Sequence, residues 1–285
     1  MTFALTADFP YPAHVLPTQM ERVRGSARVA VRSAAGVTRL AENYQAGSAK
    51  VRFPRVRGGM PLEAVLLNTA GGLTGGDCLD HSVTIEDGAH GIATTQAAER
   101  VYRSASGAAR IDTRLVAAAD ATLDWLPQET ILFDRSALAR TLVADVHPTA
   151  RLLAVEAIVL GRTAMGETAR SIALSDSWRI RRGGKPVFAD GLRLDGDSVA
   201  TLATGATGNG AAAIATLVLV APDAEASLET ARTALSAATG ECGASAWNGM
   251  LVARLLAPTG HALRTDLIRL VEALRGQPMP RVWNC

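Results

Sequence analysis

Lysine is almost missing from this chain of 285 residues, occurring only at Lys50 and Lys185, while arginine and alanine are abundant. That scarcity reads as composition rather than mechanism. Cysteine is also sparse, with an odd set of three at Cys78, Cys242 and Cys285. Such a set does not build a disulfide framework, and Met1 to His14 shows neither a basic start nor a continuous apolar core, so a reducing, cytoplasmic setting is expected. The longest apolar run, Ala211 to Ala221, is interrupted by Thr216 and falls short of the ~20 residues of a membrane span, which marks it as one buried strand and argues against a membrane protein. Aromatic residues make up 4% of the chain, too few for the stacking surfaces of a single-stranded nucleic-acid binder or a sugar subsite. No internal repeat and no linker is visible, so a single domain over residues 1–285 is expected, with the first 20 or so residues and the tail 277–285 as its loose ends.

What is present is mostly strand pattern. Hydrophobic residues make up 48% and charged residues 20%, the balance of a globular chain. Residues 1–60 hold nine bases against three acids, which points to an acidic partner surface; the arginines alternate with apolar residues as on a solvated strand face, which argues against nucleic acid. Arg28 to Arg32, Ser82 to Glu86 and Arg110 to Leu115 alternate apolar with polar residues, so each should face a core on one side. Leu152 to Leu160 carries only Glu156 as a charge and should be buried on both faces, which predicts stacked sheets and a partner for that carboxylate.

After Pro222 the pattern changes. Ala224 to Thr239 predicts a helix ended by Gly240, and Ala244 to Leu256 predicts one further strand. Thr259 can cap a second helix, whose Leu263, Leu267, Leu270, Val271 and Leu274 form one stripe before Gly276. That stripe should pack on the protein's own sheet, with a partner's groove as the alternative. The following Gln277 to Trp283 is too proline-rich to be helical and should be extended. The expected fold class is mainly β, stacked or layered sheets of sandwich or solenoid type, with two α-helices near the C-terminus.

The densest glycine stretch is Asn68-Thr69-Ala70-Gly71-Gly72-Leu73-Thr74-Gly75-Gly76-Asp77. Its two Gly-Gly pairs suit positive φ or a close approach of another backbone. Gly71 and Gly76 have the spacing of a phosphate-binding loop, but Asp77 stands where that mechanism needs lysine, and a strand rather than a helix follows. Gly205 to Gly210 reads as a loop. There is no G-x-S-x-G elbow, and Cys78 with His81 lacks a second pair to complete a metal or thiol site.

The stretch Leu67 to Asp77 closely resembles the signature loop of the UreD (UreH) family of urease accessory proteins. The resemblance continues through Thr94-Thr95-Gln96-Ala97-Ala98-Glu99-Arg100-Val101-Tyr102-Arg103, Trp125 to Asp134 and Gly161 to Glu167, and covers roughly residues 25–283. Cys78, where a basic or polar residue is expected, and Cys285, beyond the Arg281-Val282-Trp283 ending, are small departures. The resemblance implies a non-enzymatic scaffold that binds UreF, the GTPase UreG and urease apoprotein, and assists nickel insertion. No cofactor would stay bound; nickel would be in transit.

Over the span of the resemblance carboxylates are the better candidates for handling the ion, because oxygen ligands hold a cation loosely enough to release it. The expected nickel-path residues are Glu99, Glu129, Asp134, Glu156 and Glu167, each with an arginine or turn contact as the plainer alternative. Gly71, Gly72, Gly75, Gly76 and Asp77 are expected to form a structural loop. The competing enzyme reading is a carboxylate-dependent glycoside hydrolase on a β-rich fold.

Overall fold

The structure is a computed structural model that describes residues 21–55, 61–162 and 166–284. Two sheets face each other across a shared core. One has seven strands, β1 (Arg24–Ala34), β2 (Val37–Gly47), β5 (Cys78–Ile85), β8 (Ala109–Ala117), β11 (Ala137–Val146), β13 (Ser171–Arg182) and β14 (Lys185–Asp197). The other has ten: β3 (Ala49–Arg52), β4 (Leu62–Asn68), β6 (His90–Thr95), β7 (Glu99–Val101), β9 (Thr122–Leu126), β10 (Thr130–Leu132), β12 (Arg151–Leu160), β15 (Ala213–Val220), β16 (Glu241–Trp247) and β17 (Met250–Ala257).

From β4 to β13 the chain passes repeatedly from one sheet to the other, and successive strands of a sheet pair in parallel, β1 with β5, β5 with β8, β8 with β11 and β11 with β13. In the second sheet β4, β6, β9 and β12 stack the same way. This is a two-sheet coil without a sequence repeat. Only the inward period of two has to persist from turn to turn, and the identity of the residues can drift. Antiparallel β2, β14 and the β15–β17–β16 extension close the parallel stacks.

Parallel sheets normally bury both faces. Here the seven-stranded sheet leaves its outer face to water, where Arg110 pairs with Asp112 at 2.8 Å and Arg114 with Asp145 at 3.6 Å. The ten-stranded sheet is covered on its outer face by α2 (Leu228–Leu235) and α3 (Gly260–Arg275). Along β12 the consequence is visible residue by residue: Leu152 and Ala154 enter the core between the sheets, while Leu153, Val155 and Ala157 pack under the helices. That is why Leu152 to Leu160 reads as buried on both sides.

The stripe on α3 is used up within the molecule, since Leu263, Leu267, Leu270 and Val271 are all buried against the sheet. The stripe therefore packs on the protein's own sheet, as expected, rather than in a partner's groove. Thr259 caps α3 by accepting from the Ala262 N–H, and Gly276 ends it in the left-handed region at φ 64°. The expected helix over 224–239 is shorter, a 3-10 turn at Ala224–Ser227 followed by α2. The single strand expected at 244–256 is a hairpin: Asn248 and Gly249, at φ 52° and 73°, make the two-residue turn that joins β16 and β17. A five-residue helix, α1 (Ser198–Leu202), capped by Asp197, is an addition to the expected elements.

The C-terminal tail is not loose over its described part, nor extended. Arg281–Asn284 forms a 3-10 turn, Trp283 is buried, and its indole Nε1–H donates to Thr94 Oγ1 and Leu126 O at 3.1 Å each. Arg275 locks the helix end to buried Asp124 at 2.8 Å. The first 20 residues and Cys285 lie outside the described residues.

The glycine loop links β4 to β5 and is a structural device. Gly71, Gly72 and Gly76 have φ of 76°, 147° and 89°. Gly75 is needed for space instead, because a Cβ there would sit 2.2 Å from Ser106 O. Asp77 is buried, its carboxylate accepting from the Val23 and Thr74 N–H groups at 2.8 Å each, which uses up the acid that replaces the phosphate-loop lysine. Gly75→Val should therefore cost about 1–3 kcal/mol through overpacking against a fixed carbonyl. Thermal melting checks it; an unchanged melting temperature would contradict the assigned close approach.

Candidate functional site: an acid-lined interior between the sheets

Most inward positions of the two sheets are aliphatic, but one end of the interior is polar. The parallel register places Arg140 of β11 beside Asp176 of β13, and β12 brings Glu156 from the opposite sheet. Arg140 Nη1 donates to Glu156 Oε2 at 2.5 Å, and its Nη2 and Nε donate to the Asp176 carboxylate at 2.7 and 3.1 Å. Trp125 Nε1–H donates to the other Glu156 oxygen at 3.0 Å, and Thr130 Oγ1 accepts from Arg140 at 3.2 Å. All three charged residues are buried. Burial pushes the Glu156 carboxyl above its ordinary range, with the Arg140 charge opposing that shift. One guanidinium against two carboxylates leaves this interior with one formal negative charge when both acids are ionised.

Next to the ion cluster lies a small cavity of about 40 Å³, whose walls include His81, Thr95, Glu99, Thr130, Arg140 and Glu156. A second, larger cavity of about 190 Å³ is lined by Asn68, Gly71 and Gln96 and also touches His81, Thr95 and Glu99. Those three residues line both spaces, so they stand at the junction of the two cavities. Glu99 receives the Asn68 amide at 3.1 and 3.3 Å. Burial raises its carboxyl to about 7, against the smaller lowering effect of Asn68. His81 is held down to about 4 by burial, so its imidazole is neutral at neutral pH.

Of the five acids expected along a metal path, the fold brings Glu99 and Glu156 to one chamber. Glu129 is adjacent in sequence to Gln128, another wall residue, and pairs with Arg264 of α3 at 2.9 Å. Arg264 in turn lies over the Trp283 ring at 4.7 Å. Asp134 sits in a surface turn, accepting from the Ser171 and Arg170 N–H groups at 2.9 Å, bonds that hold its carboxyl below the usual range. Glu167 pairs with Arg162 at 2.6 Å on the surface. Sequence reading missed His81 as an interior residue. Inward period two along β5 was the available signal: Leu79, Val83 and Ile85 are buried, so His81 shares their face and Cys78 points the other way. The two cannot chelate one ion as neighbours on a strand. No cluster of three or more His, Cys, Asp or Glu side chains among the described residues forms a ready-made metal cage.

Fold and interior together define a layered β protein with a polar chamber between its sheets. The chain belongs to the UreD urease accessory protein family, whose model it matches over residues 23–284. It is 50% identical to the urease accessory protein UreD of Xanthobacter autotrophicus over 92% of this chain and 90% of that protein. Similarity to UreD of Azorhizobium caulinodans is 47% identity over 92% and 97% of the two chains, and to UreD of a Methylobacterium strain 47% over 95% and 99%. The family resemblance seen in the glycine-loop and neighbouring blocks is thereby established. No helix among the described residues is long and apolar enough to cross a membrane.

Proposed function

We propose that this chain acts in the cytoplasm as a scaffold of urease maturation, binding UreF, UreG and urease apoprotein, and that Ni²⁺ crosses it through the chamber between the sheets. What supports the reading is the junction of two cavities at Glu99, with Glu156 at the inner end. Nickel is cargo here, not a resident cofactor. A cation entering past Glu99 displaces the carboxyl proton and meets an interior with a formal negative charge. Oxygen donors spread along the way, rather than a closed cage, allow the ion to move on. No turnover is assigned to the chain. The glycosidase alternative gains little from the fold, because Trp125 and Trp178 are 2% exposed and the exposed Trp247, Tyr44 and Tyr102 do not line the chamber.

Urease activation with and without this chain tests the scaffold role, and single neutral isosteres test the path. Glu99→Gln should strongly lower activation. Asp134→Asn, whose amide oxygen can still accept from the Ser171 and Arg170 N–H groups, and Glu167→Gln, which loses a surface pairing worth about 0–1 kcal/mol, should leave it near wild type. Equal loss from all three would contradict a path through the chamber.

A further inference from the structure

The conduit needs only oxygen donors, yet one wall of its junction is a nitrogen ligand without a partner. His81 Nδ1 has no contact with solvent and no hydrogen bond. A buried polar atom left unpaired costs stability, so its retention at a cavity junction points to a ligand that satisfies it in another state. Neutral imidazole offers one lone pair, and it is the commonest protein ligand for late first-row metals. Glu99 lines the same two cavities, and its carboxylate, bonded to the Asn68 amide and the Arg100 backbone N–H, retains acceptor capacity. Thr95 lines both spaces as well, but its hydroxyl already donates to Ala97 O at 3.1 Å and accepts from the Gln128 N–H at 2.9 Å. His81 and Glu99 are therefore the pair with free valence. The ring packs toward Trp125 at a centroid distance of 6.2 Å, which limits its reorientation.

We infer that His81 and Glu99 form a nitrogen–oxygen station for a divalent late first-row transition cation at the cavity junction, and that the imidazole makes entry selective against magnesium and calcium. Hard cations such as Mg²⁺ prefer oxygen and water, whereas Ni²⁺ gains from an imidazole nitrogen. Binding at the station stands by itself; its role in selecting cargo rests on the function proposed above.

The test uses the full chain with isotope-labelled histidine, in which five histidines report separately. Paramagnetic Ni²⁺ should broaden the His81 ring signals at low stoichiometry, in the presence of a large excess of Mg²⁺, while Mg²⁺ alone leaves them unchanged. His81→Gln assigns the signal; should that variant not fold, proximity to the Trp125 ring assigns it in the native protein. Glu99→Gln should weaken the Ni²⁺ effect by roughly tenfold or more, since loss of even an outer partner of a metal ligand costs 10–100-fold. A His81 signal untouched by Ni²⁺ while other histidines broaden would overturn the station, as would equal broadening in Glu99→Gln. If the station binds Ni²⁺ but His81→Gln protein activates urease with undiminished preference for nickel over magnesium, the site stands and its selecting role falls.

Discussion

Replacing Arg140 with methionine should lower the unfolding free energy by about 3–5 kcal/mol, the cost of leaving buried charges without their partner. Glu156 and Asp176 would then face each other across the interior with only Trp125 and neighbouring polar groups to answer them. At least one acid would have to take up a proton, so the loss should shrink as pH falls. Replacing all three charged residues by apolar ones of similar volume should cost far less than the single change, because the ion cluster gains little over a well-packed core. Chemical denaturation of the single and triple variants gives both numbers. A single variant within 1 kcal/mol of wild type, by that same reckoning, would mean that Arg140 is not what balances the interior.

The second large effect is on the pH dependence of stability in metal-free protein. Burial raises the Glu99 carboxyl from its ordinary 4.5 to about 7, so between those values the folded state holds a proton that the unfolded state releases. Stability from this group is therefore lost as pH rises through that window and is level above it. His81 is the reverse case: its value drops from 6.5 to about 4, the unfolded state binds the extra proton, and stability rises with pH between those values. Each group carries at most about 3 kcal/mol, and over the shared part of the window the two slopes oppose each other. Glu99→Gln should unmask the His81 slope, so that stability relative to wild type climbs from pH 4.5 to 7. His81→Gln should do the opposite between pH 4 and 6.5. Parallel profiles in all three proteins would remove both assignments.

Much of the architecture could be read beforehand because inward alternation is local. β1, β5 and β8 declare their buried face within five residues, and the apolar length of β12 requires cover on both sides. Layered sheets of sandwich or solenoid type are expected and found, but which strands pair was hidden, since parallel pairing between strands far apart in sequence leaves no repeat when only the burial period is kept. The β16–β17 hairpin was readable from Asn248-Gly249 and was passed over in favour of a continuous alternation. The tail was misjudged from its prolines: Pro278 and Pro280 exclude a long helix but not a 3-10 turn, and what holds the segment is Trp283 inserted beside Thr94. Among the acids, Glu156 announced itself by lying alone in an apolar run. Nothing local separates Glu99 from Asp134 or Glu167, since all three stand near arginines, and only the pairing of β7 with β10, and of β10 with β12, places the first at the chamber. His81 was read for its spacing to Cys78, when its strand phase was the informative quantity.

The account turns on whether nickel reaches urease through the chamber at Glu99. Glu99→Gln is the clean probe, because among the described residues the only side chain bonded to Glu99 is that of Asn68, an amide that a glutamine can also engage. The measurement is nickel per urease active site after activation with this variant, alongside pull-down of UreF, UreG and urease apoprotein to verify that the complex still assembles. The account predicts an intact complex and urease left largely without nickel. Full nickel occupancy with the same intact complex would contradict it and leave a scaffold that works by remodelling urease from outside.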